Sequence, residues 1–215
     1  MYKLIDATTE HAQQIIHYLS KTCYWKEFIE GNTLNLPYEE FMLEWIVLPR
    51  IKLTKVLISP DDPGKIHGCL IAATSDEFGN MPDYTPYLDP NVMEVFKTWF
   101  TYPVSDSIIL ELYAVDKELK GKGFGTLMLN TVDEIAAYHN KETISCFVWT
   151  CFHDSIIATT KKGFTIVDCL KFPEPINIGL LYMEKSSDLI CKKDYFQSNQ
   201  YIALKGLLLN DKQKN

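Results

Sequence analysis

Apolar residues recur along the chain at two spacings, the alternating spacing of strands and the three-to-four-residue spacing of helices. Alternating or β-branched runs predict strands at 2–5, 55–59, 66–73, 108–115, 143–150, 164–170 and 178–183. Helical spacing predicts helices from Thr8 or Thr9, over about 37–48, from Phe124 onwards and over 154–162. Pro49 is expected to end the second helix and Gly163 the last. The strands come mostly in hairpins around one strand–helix–strand crossover, which predicts a mixed α/β (α+β) fold in three layers.

Residues 76–106 interrupt this pattern and are predicted to be a helical insertion in a single domain that spans 1–185. Asp89 predicts the start of a helix inside the insertion. The apolar face of that helix carries Phe96, Trp99 and Phe100. Such a face is typical of a helix packed on the core, and the alternative is an acidic lid suited to an amine-bearing substrate. The sequence predicts no particular structure for the C-terminal tail, 186–215.

Composition narrows the class of protein. The chain has 215 residues, of which 47% are hydrophobic, enough to bury a core of substantial size. Its formal net charge of −7 argues against nucleic acid or an anionic membrane as a partner. No apolar run approaches the roughly 20 residues of a membrane span, and the N-terminus lacks the apolar core of a secretory signal. The six cysteines form no C-x-x-C pair and the five histidines show no ligand spacing, so we expect a cytoplasmic protein with reduced thiols and no metal site.

The stretch 107–139 carries the most specific signal in the chain. An apolar, β-branched run at 108–115 is followed by a polar spacer. Three glycines then stand at alternate positions, Gly121, Gly123 and Gly125. A helical spacing begins at once after them, so this arrangement places unpaired backbone N–H groups at the positive end of a helix dipole, where phosphate binds. Lys120 and Lys122 add positive charge at the same point of an acidic chain.

Three kinds of phosphate site compete for this spacing. A P-loop requires G-x-x-x-x-G-K-[ST], and no Gly-Lys-Ser/Thr stands here. A dinucleotide-binding turn requires G-x-G-x-x-G directly after the strand, but the third glycine comes one residue early and a spacer separates Val115 from Gly121. Glu142 lies at about the right distance for a ribose contact, so a dinucleotide-binding protein stays an alternative. The third possibility is a turn that holds the pyrophosphate of coenzyme A.

At this point the sequence resembles the GNAT N-acetyltransferase family. Residues 115–129, V-D-K-E-L-K-G-K-G-F-G-T-L-M-L, are similar to its acetyl-CoA-binding motif V-x-P-x-x-[RQ]-G-x-G-[IFLV]-G/A, with Lys120 in place of Arg or Gln. The opening K-L-I-D-A-T-T-E-H-A and the stretch 159–164 also resemble family elements, so the resemblance spans roughly 2–184. It implies a central, mostly antiparallel sheet of about seven strands flanked by helices. The fourth and fifth strands would separate to admit the pantetheine arm.

The resemblance also implies acetyl-CoA as co-substrate and an amine-bearing acceptor, either a small molecule or a protein. It assigns coenzyme contacts to Ala114, Val115, Lys120, Gly121, Lys122, Gly123, Phe124, Gly125 and Thr126. The N–H of Val115 would bond the thioester carbonyl. The chain departs from the family at Thr159, where Tyr is frequent, and at Phe152, where Asn is often found. These departures leave a non-catalytic CoA-binding regulatory module as an alternative function.

Acetylation of an amine needs a base, because amines are mostly protonated near neutral pH. Glu111 is the candidate, as the family often has an acidic residue on this strand. Strand alternation is expected to put Glu111, Tyr113 and Val115 on one face, with Leu110, Leu112 and Ala114 on the other. The candidate acids for the leaving thiolate are Tyr113, Cys151, His153 and Tyr182. Cys151 is also a possible acyl-enzyme nucleophile, although a core thiol is the simpler interpretation. The acceptor and the oligomeric state stay open.

Overall fold

The fold is a strand-rich domain, given by a computed structural model that describes residues 2–22, 26, 30, 37–79, 89, 97–99, 101–172 and 179–187. Its strands are β1 (Lys3–Asp6), β2 (Lys55–Ser59), β3 (Asp62–Thr74), β4 (Ser107–Val115), β5 (Thr143–Trp149), β6 (Thr165–Lys171) and β7 (Gly179–Ser186). Its helices are α1 (Ala12–Thr22), the composite α2 (Tyr38–Phe41, Met42–Val47 and Leu48–Arg50), α3 (Ser75–Gly79), α4 (Phe124–Tyr138) and α5 (His153–Lys161). The strands predicted from alternation are confirmed, with β3 beginning at Asp62 rather than at 66.

The strands form one seven-stranded sheet in the order β1-β2-β3-β4-β5-β7-β6. All neighbouring pairs are antiparallel except β4 and β5, which run parallel. β4 pairs with β5 only from Ser107 to Leu110. Beyond that point β4 stays with β3 as far as Val115, while β5 stays with β7 as far as Trp149. The two central strands therefore separate, as the family resemblance implies, and leave an opening in the middle of the sheet.

Helices cover both faces of the sheet. α1 and α2 pack on one face, where Ile15, Leu19 and Phe41 are fully buried. α4 packs on the other face, where Met128 and Val132 are buried against the strands. Each helix follows from its apolar stripe, which has to be removed from water against the sheet. The predicted three-layer, mostly antiparallel α/β fold is confirmed.

The prediction that Pro49 ends the second helix is wrong. The six residues before Leu48 form a π-helical stretch, in which the N–H of Leu48 bonds to the carbonyl of Leu43, five residues back. The helix continues through Pro49 to Arg50, and a 3₁₀ turn follows over Ile51–Leu53. Proline usually breaks an α-helix because it lacks an N–H and its ring meets the carbonyl four residues back; here the turn before it is the wider π form, with hydrogen bonds to the fifth residue back. The continuation carries Arg50 into the core.

The predicted insertion is described only in part. Its first residues form α3, Ser75–Gly79, directly after β3. The helix expected from Asp89 lies mostly outside the described residues, as do Phe96 and Phe100. Trp99 is buried in the core beside α2, as the core interpretation of that apolar face requires. The tail beyond residue 187 lies outside the described residues.

Candidate active site

The glycine turn joins β4 to α4 and lies at the surface. Gly121 has φ +75° and Gly123 has φ +89°. This left-handed region favours glycine, because a residue with a Cβ would clash with its own backbone there. Gly123 is also the N-cap residue of α4. A Cβ at Gly121, Gly123 or Gly125 would meet no protein atom within 4 Å. The turn therefore borders open space in which a ligand can approach the main chain.

The backbone N–H groups of this turn are largely free. Within the turn, Lys120 N–H bonds to the Lys117 carbonyl and Lys122 N–H to the Leu119 carbonyl, both at 3.2 Å. In the described part of the chain no acceptor bonds the amides of Gly121, Gly123, Phe124, Gly125 and Thr126. Three of these amides belong to the first turn of α4, where the helix dipole is positive. The predicted phosphate-binding turn thus presents five free donors, interrupted at Lys122, on residues that are exposed or half-buried.

The end of β4 brings a further free amide towards the opening of the sheet. Val115 lies opposite Gly68 of β3, and the N–H of the next residue, Asp116, donates to the His67 carbonyl at 2.9 Å. Successive N–H groups of a strand point to opposite edges. The N–H of Val115 therefore points to the edge from which β5 has separated. The assigned contacts of Ala114 and Val115 with the coenzyme stay predictions that this geometry permits.

A β-bulge in β4 changes the faces that its residues occupy. Leu112 pairs with Ile71 and Leu110 pairs with Ala72, so Glu111 is an extra residue without a partner on β3. A bulge breaks the strict alternation of side chains. The expectation that Glu111 shares a face with Tyr113 is therefore wrong.

The two faces around the bulge belong to different cores. Leu112 lies in the core beneath α1 and α2, and Glu111 lines a cavity on the same side. Leu110 lies in the core beneath α4, where Tyr113 and Val115 also pack. The predicted base and one predicted acid therefore lie on opposite faces of the sheet.

A small apolar cavity lies beside the opening of the sheet. It is lined by Met42, Ile46, Phe78, Trp99, Glu111, Leu112 and Phe147. Glu111 provides the one carboxylate among these lining residues. Apart from Glu111, the lining side chains are aliphatic or aromatic, so the cavity surrounds the carboxylate with apolar atoms.

Arg50 is the partner of Glu111. Its Nε lies 3.0 Å from Glu111 Oε1, and the two side chains are 2% and 11% exposed. Burial raises the pKa of Glu111, and the guanidinium of Arg50 opposes that rise. A negative charge on Glu77 of α3 adds to the rise in the pKa of Glu111. The site thus holds a buried carboxylate that is a better proton acceptor than an exposed one and is still kept near a cation.

Sequence reasoning missed Arg50, although a signal was present. Arg50 is the only arginine in the chain, which has 21 Lys and Arg residues in all. It stands in the apolar stretch W-I-V-L-P-R-I, 45–51, where a charged residue needs a buried partner. The expectation that the helix stops at Pro49 left Arg50 outside the predicted elements.

The remaining acid candidates do not gather around Glu111. Burial raises the pKa of Tyr113, which does not line the cavity. His153 is the exposed first residue of α5. Cys151 is exposed as well, so the core-thiol interpretation is wrong for this cysteine. The Tyr182 ring packs against Phe147, which lines the cavity, at 5.1 Å between centroids. Its hydroxyl accepts the Ser105 N–H at 3.2 Å and donates to Glu184 Oε1.

Thr159 stands at the position of the family's frequent tyrosine and is buried. Its hydroxyl donates to the carbonyl of Ser155 at 2.8 Å within α5. A hydroxyl that donates its proton to a backbone carbonyl of its own helix cannot donate it to the leaving thiolate. The described residues also contain no group of three or more His, Cys, Asp or Glu side chains placed to hold a metal ion. In the same residues no helix is long and apolar enough to cross a membrane.

Comparison with known proteins gives matches in structure alone. No protein-family model and no curated protein matches the sequence. A polyamine N-acetyltransferase from Drosophila melanogaster has a TM-score of 0.65 and 15% identity, over 86% of this chain and 100% of that one. Arylalkylamine N-acetyltransferase 2 from Aedes aegypti has a TM-score of 0.59 and 13% identity, over 87% of this chain and 99% of that one.

A third similar structure is the NatC complex bound to Gag peptide and CoA. Its TM-score is 0.56 at 11% identity, over 86% of this chain and 98% of the matched one. Identities this low make the likeness one of fold, and a fold alone does not fix a reaction. The seven-stranded, mostly antiparallel sheet flanked by helices matches these neighbours. The chain has the fold of the GNAT N-acetyltransferases, the family that its glycine motif resembles.

Proposed function

We propose that this protein is an N-acetyltransferase that moves an acetyl group from acetyl-CoA to a primary amine by direct attack in a ternary complex. The observation that carries this proposal is the set of five free amides, on Gly121 and on residues 123–126, in the turn that follows the strand β4 where it separates from β5. Similar structures belong to enzymes named for polyamine and arylalkylamine acetylation, and a further similar structure, the NatC complex, is bound to CoA. Acetyl-CoA supplies the acyl group as an activated thioester.

The glycine turn would hold the diphosphate of the coenzyme. Five amides without protein acceptors, together with the positive end of the α4 dipole, satisfy an anion with no rearrangement of the chain. Lys120 and Lys122 flank Gly121 and are exposed, so their ammonium groups add attraction on a chain of net charge −7. The N–H of Val115 would bond the thioester carbonyl and stabilise negative charge on its oxygen.

Glu111 would accept the proton of the attacking amine. Glu111 takes the proton of the ammonium, directly or through a water, and so frees the lone pair of the nitrogen. The nitrogen then forms a bond to the carbonyl carbon, the carbon–sulfur bond breaks, and the second N–H proton passes to the departing thiolate, which leaves as the thiol of CoA. The raised pKa of Glu111 brings this carboxyl nearer to the operating pH of a base. The Nε of Arg50 donates a hydrogen bond to Glu111 Oε1 and so fixes the carboxylate in position before the proton transfer. Most of the rate enhancement would come from holding the two substrates together.

Thr159 stands at the position of the tyrosine that the family frequently uses as the acid. A thiol has an ordinary pKa of about 8.5, so a thiolate is a good leaving group even without an acid to protonate it. Two observations favour a second candidate function. The hydroxyl of Thr159 is buried and already hydrogen-bonded, and the other acid candidates Tyr113 and His153 lie in different parts of the fold. In that case the protein binds CoA and regulates or scaffolds without turnover.

A two-stage experiment tests the proposal. Thermal shift and calorimetry with acetyl-CoA, CoA, longer acyl-CoAs and NADH come first, and we expect stabilisation by the CoA compounds alone. Thiol release is then followed with a panel that contains a polyamine, an arylalkylamine and a peptide with a free N-terminus. Turnover that falls on Glu111→Gln substitution, in a variant that still binds acetyl-CoA, supports the enzyme. Binding without turnover on any amine supports the regulatory module, and preference for NADH contradicts both.

A further inference from the structure

A buried histidine on β3 holds the residue at which the chain enters the glycine turn. His67 is 8% exposed, and its Nδ1 lies 2.9 Å from Oδ2 of Asp116, directly after the end of β4. Because a carboxylate only accepts, the ring N–H at Nδ1 donates this hydrogen bond. The other ring nitrogen, Nε2, has no hydrogen-bond partner among the described residues. Asp116 is therefore the one polar partner that this part of the chain gives the ring.

The main chain reinforces the same contact. The Asp116 N–H donates to the His67 carbonyl at 2.9 Å, and the Tyr18 hydroxyl of α1 donates to that carbonyl at 3.3 Å. Asp116 is thus bonded to His67 through both its side chain and its backbone. One hydroxyl of a neighbouring helix fixes the His67 peptide in turn. This double attachment fixes both the position and the direction of the chain as it leaves the sheet.

Hydrogen bonds carry that direction into the turn. The carbonyl of Asp116 accepts the N–H of Leu119 at 2.9 Å and so begins the 3₁₀ turn Lys117–Leu119. The carbonyls of Lys117 and Leu119 accept the next two bonds, from Lys120 and Lys122. Each bond sets the position of the next, so the path from Asp116 to Gly123 depends on where Asp116 is held.

The far side of the turn is held by ring contacts from the same histidine. Tyr2 packs edge-on against the His67 ring at 5.0 Å between centroids. The Tyr2 ring packs edge-on against Phe124, the first residue of α4, at 5.3 Å. His67 therefore contacts the beginning of the turn directly and its end through one aromatic ring. Such contacts reduce the cost of ordering a loop when an anion binds.

We infer that His67 is a positioning residue for the diphosphate of acetyl-CoA and acts through Asp116. The inference rests on the proposed function, because it concerns the same turn. Loss of the His67–Asp116 bond weakens coenzyme binding and leaves the chemical step nearly unchanged, since neither side chain belongs to the cavity of Glu111.

The test compares His67→Leu, His67→Asn and Asp116→Ala with the exposed control His17→Ala. The asparagine amide nitrogen takes the place of Nδ1 and can donate to Asp116, whereas leucine keeps bulk and removes the donor. Calorimetry gives the Kd for acetyl-CoA, thiol release gives KM and kcat, and thermal melting gives Tm. We expect Kd and KM to rise by about tenfold or more in His67→Leu and Asp116→Ala, with kcat within about twofold. His67→Asn should recover most of the loss, and His17→Ala should match the wild type.

Several outcomes separate the two proposals. If wild-type protein does not bind acetyl-CoA, the proposed function fails and takes this inference with it. If wild-type protein binds and the variants lower Tm without any change in Kd, His67 is merely structural and only the inference is overturned. If His67→Leu does not fold, Asp116→Ala decides the question, because it leaves the packing of the ring intact. An unchanged Kd in Asp116→Ala overturns the inference.

Discussion

Arg50→Met is the change that examines the buried ion pair most sharply. It removes the cation that lies 3.0 Å from Glu111 and keeps most of the side-chain volume. The Glu111 carboxylate is then buried with no cation at that distance, and it must either stay charged at high cost or take up a proton. The variant therefore tests whether the pair stabilises the fold and keeps the base ionised.

The expected loss is about 3–5 kcal/mol of unfolding free energy near pH 8, the usual effect of removing one partner of a buried pair. The loss depends on pH. Burial already raises the pKa of Glu111, and removal of Arg50 raises it further because the cation opposes the rise. A group whose pKa is higher in the folded state binds its proton more tightly there than in the unfolded state. Its contribution to the free energy of unfolding is therefore present at low pH and is lost as pH rises. The variant should accordingly lose less stability at pH 5.5 than at pH 8.

Urea unfolding of the wild type and of Arg50→Met at pH 5.5 and pH 8 measures the loss of unfolding free energy at each pH. The double variant Arg50→Met/Glu111→Leu should regain most of the stability, because an apolar pair replaces a buried ionic pair at little cost. It should regain no acetyltransferase activity, because the base is gone. The control Lys26→Met removes an exposed partner of Glu30 at 3.8 Å, with side chains 40% and 50% exposed, and should change stability by less than about 0.5 kcal/mol. A loss in Arg50→Met below about 1 kcal/mol, or one that is equal at both pH values, refutes the reasoning.

Three further substitutions test other parts of the structure. Gly123→Ala places a Cβ at φ +89°, so acetyl-CoA binding by calorimetry and stability should both weaken, by about 1–2 kcal/mol for stability. Gly68→Ala should cost about 1–3 kcal/mol in urea unfolding, because its Cβ would lie 2.5 Å from a methionine methyl of α4. Gly64→Ala, with no atom within 4 Å of its Cβ, serves as the control for both, and equal effects at all three sites would be inconsistent with this account. Lys185→Met should cost about 3–5 kcal/mol because it leaves the buried Asp133 carboxylate without its cation at 2.7 Å, and a negligible change in the urea midpoint would contradict this.

The sequence predicted well those features that depend on neighbouring residues. The positive φ values of Gly121 and Gly123, the start of α4 at Phe124 and the left-handed end of α5 at Gly163 all follow from local chemistry. The strand assignments follow in the same way from the period-two pattern. For these elements the residues that decide the conformation lie within a few positions of one another.

Features that depend on distant contacts were not predictable in this way. The bulge at Glu111 arises where β4 pairs with β3, some forty residues earlier in the chain, and it moved the base to the opposite face from Tyr113. The helix continues past the π-helical stretch and Pro49 to Arg50, which pairs with Glu111, 61 residues later in the chain. Local patterns contain neither the register of two strands nor the partner of a buried charge.

The central claim is that the amides of residues 121–126 bind the diphosphate of coenzyme A. Nuclear magnetic resonance of ¹⁵N-labelled protein titrated with CoA tests it directly, because each of these residues has a backbone N–H signal. The account predicts that the largest shift changes fall on the amides of Gly121, Gly123 and the first turn of α4, with smaller changes at Val115. CoA binding that leaves those amide signals unmoved, or the absence of any binding, would contradict it.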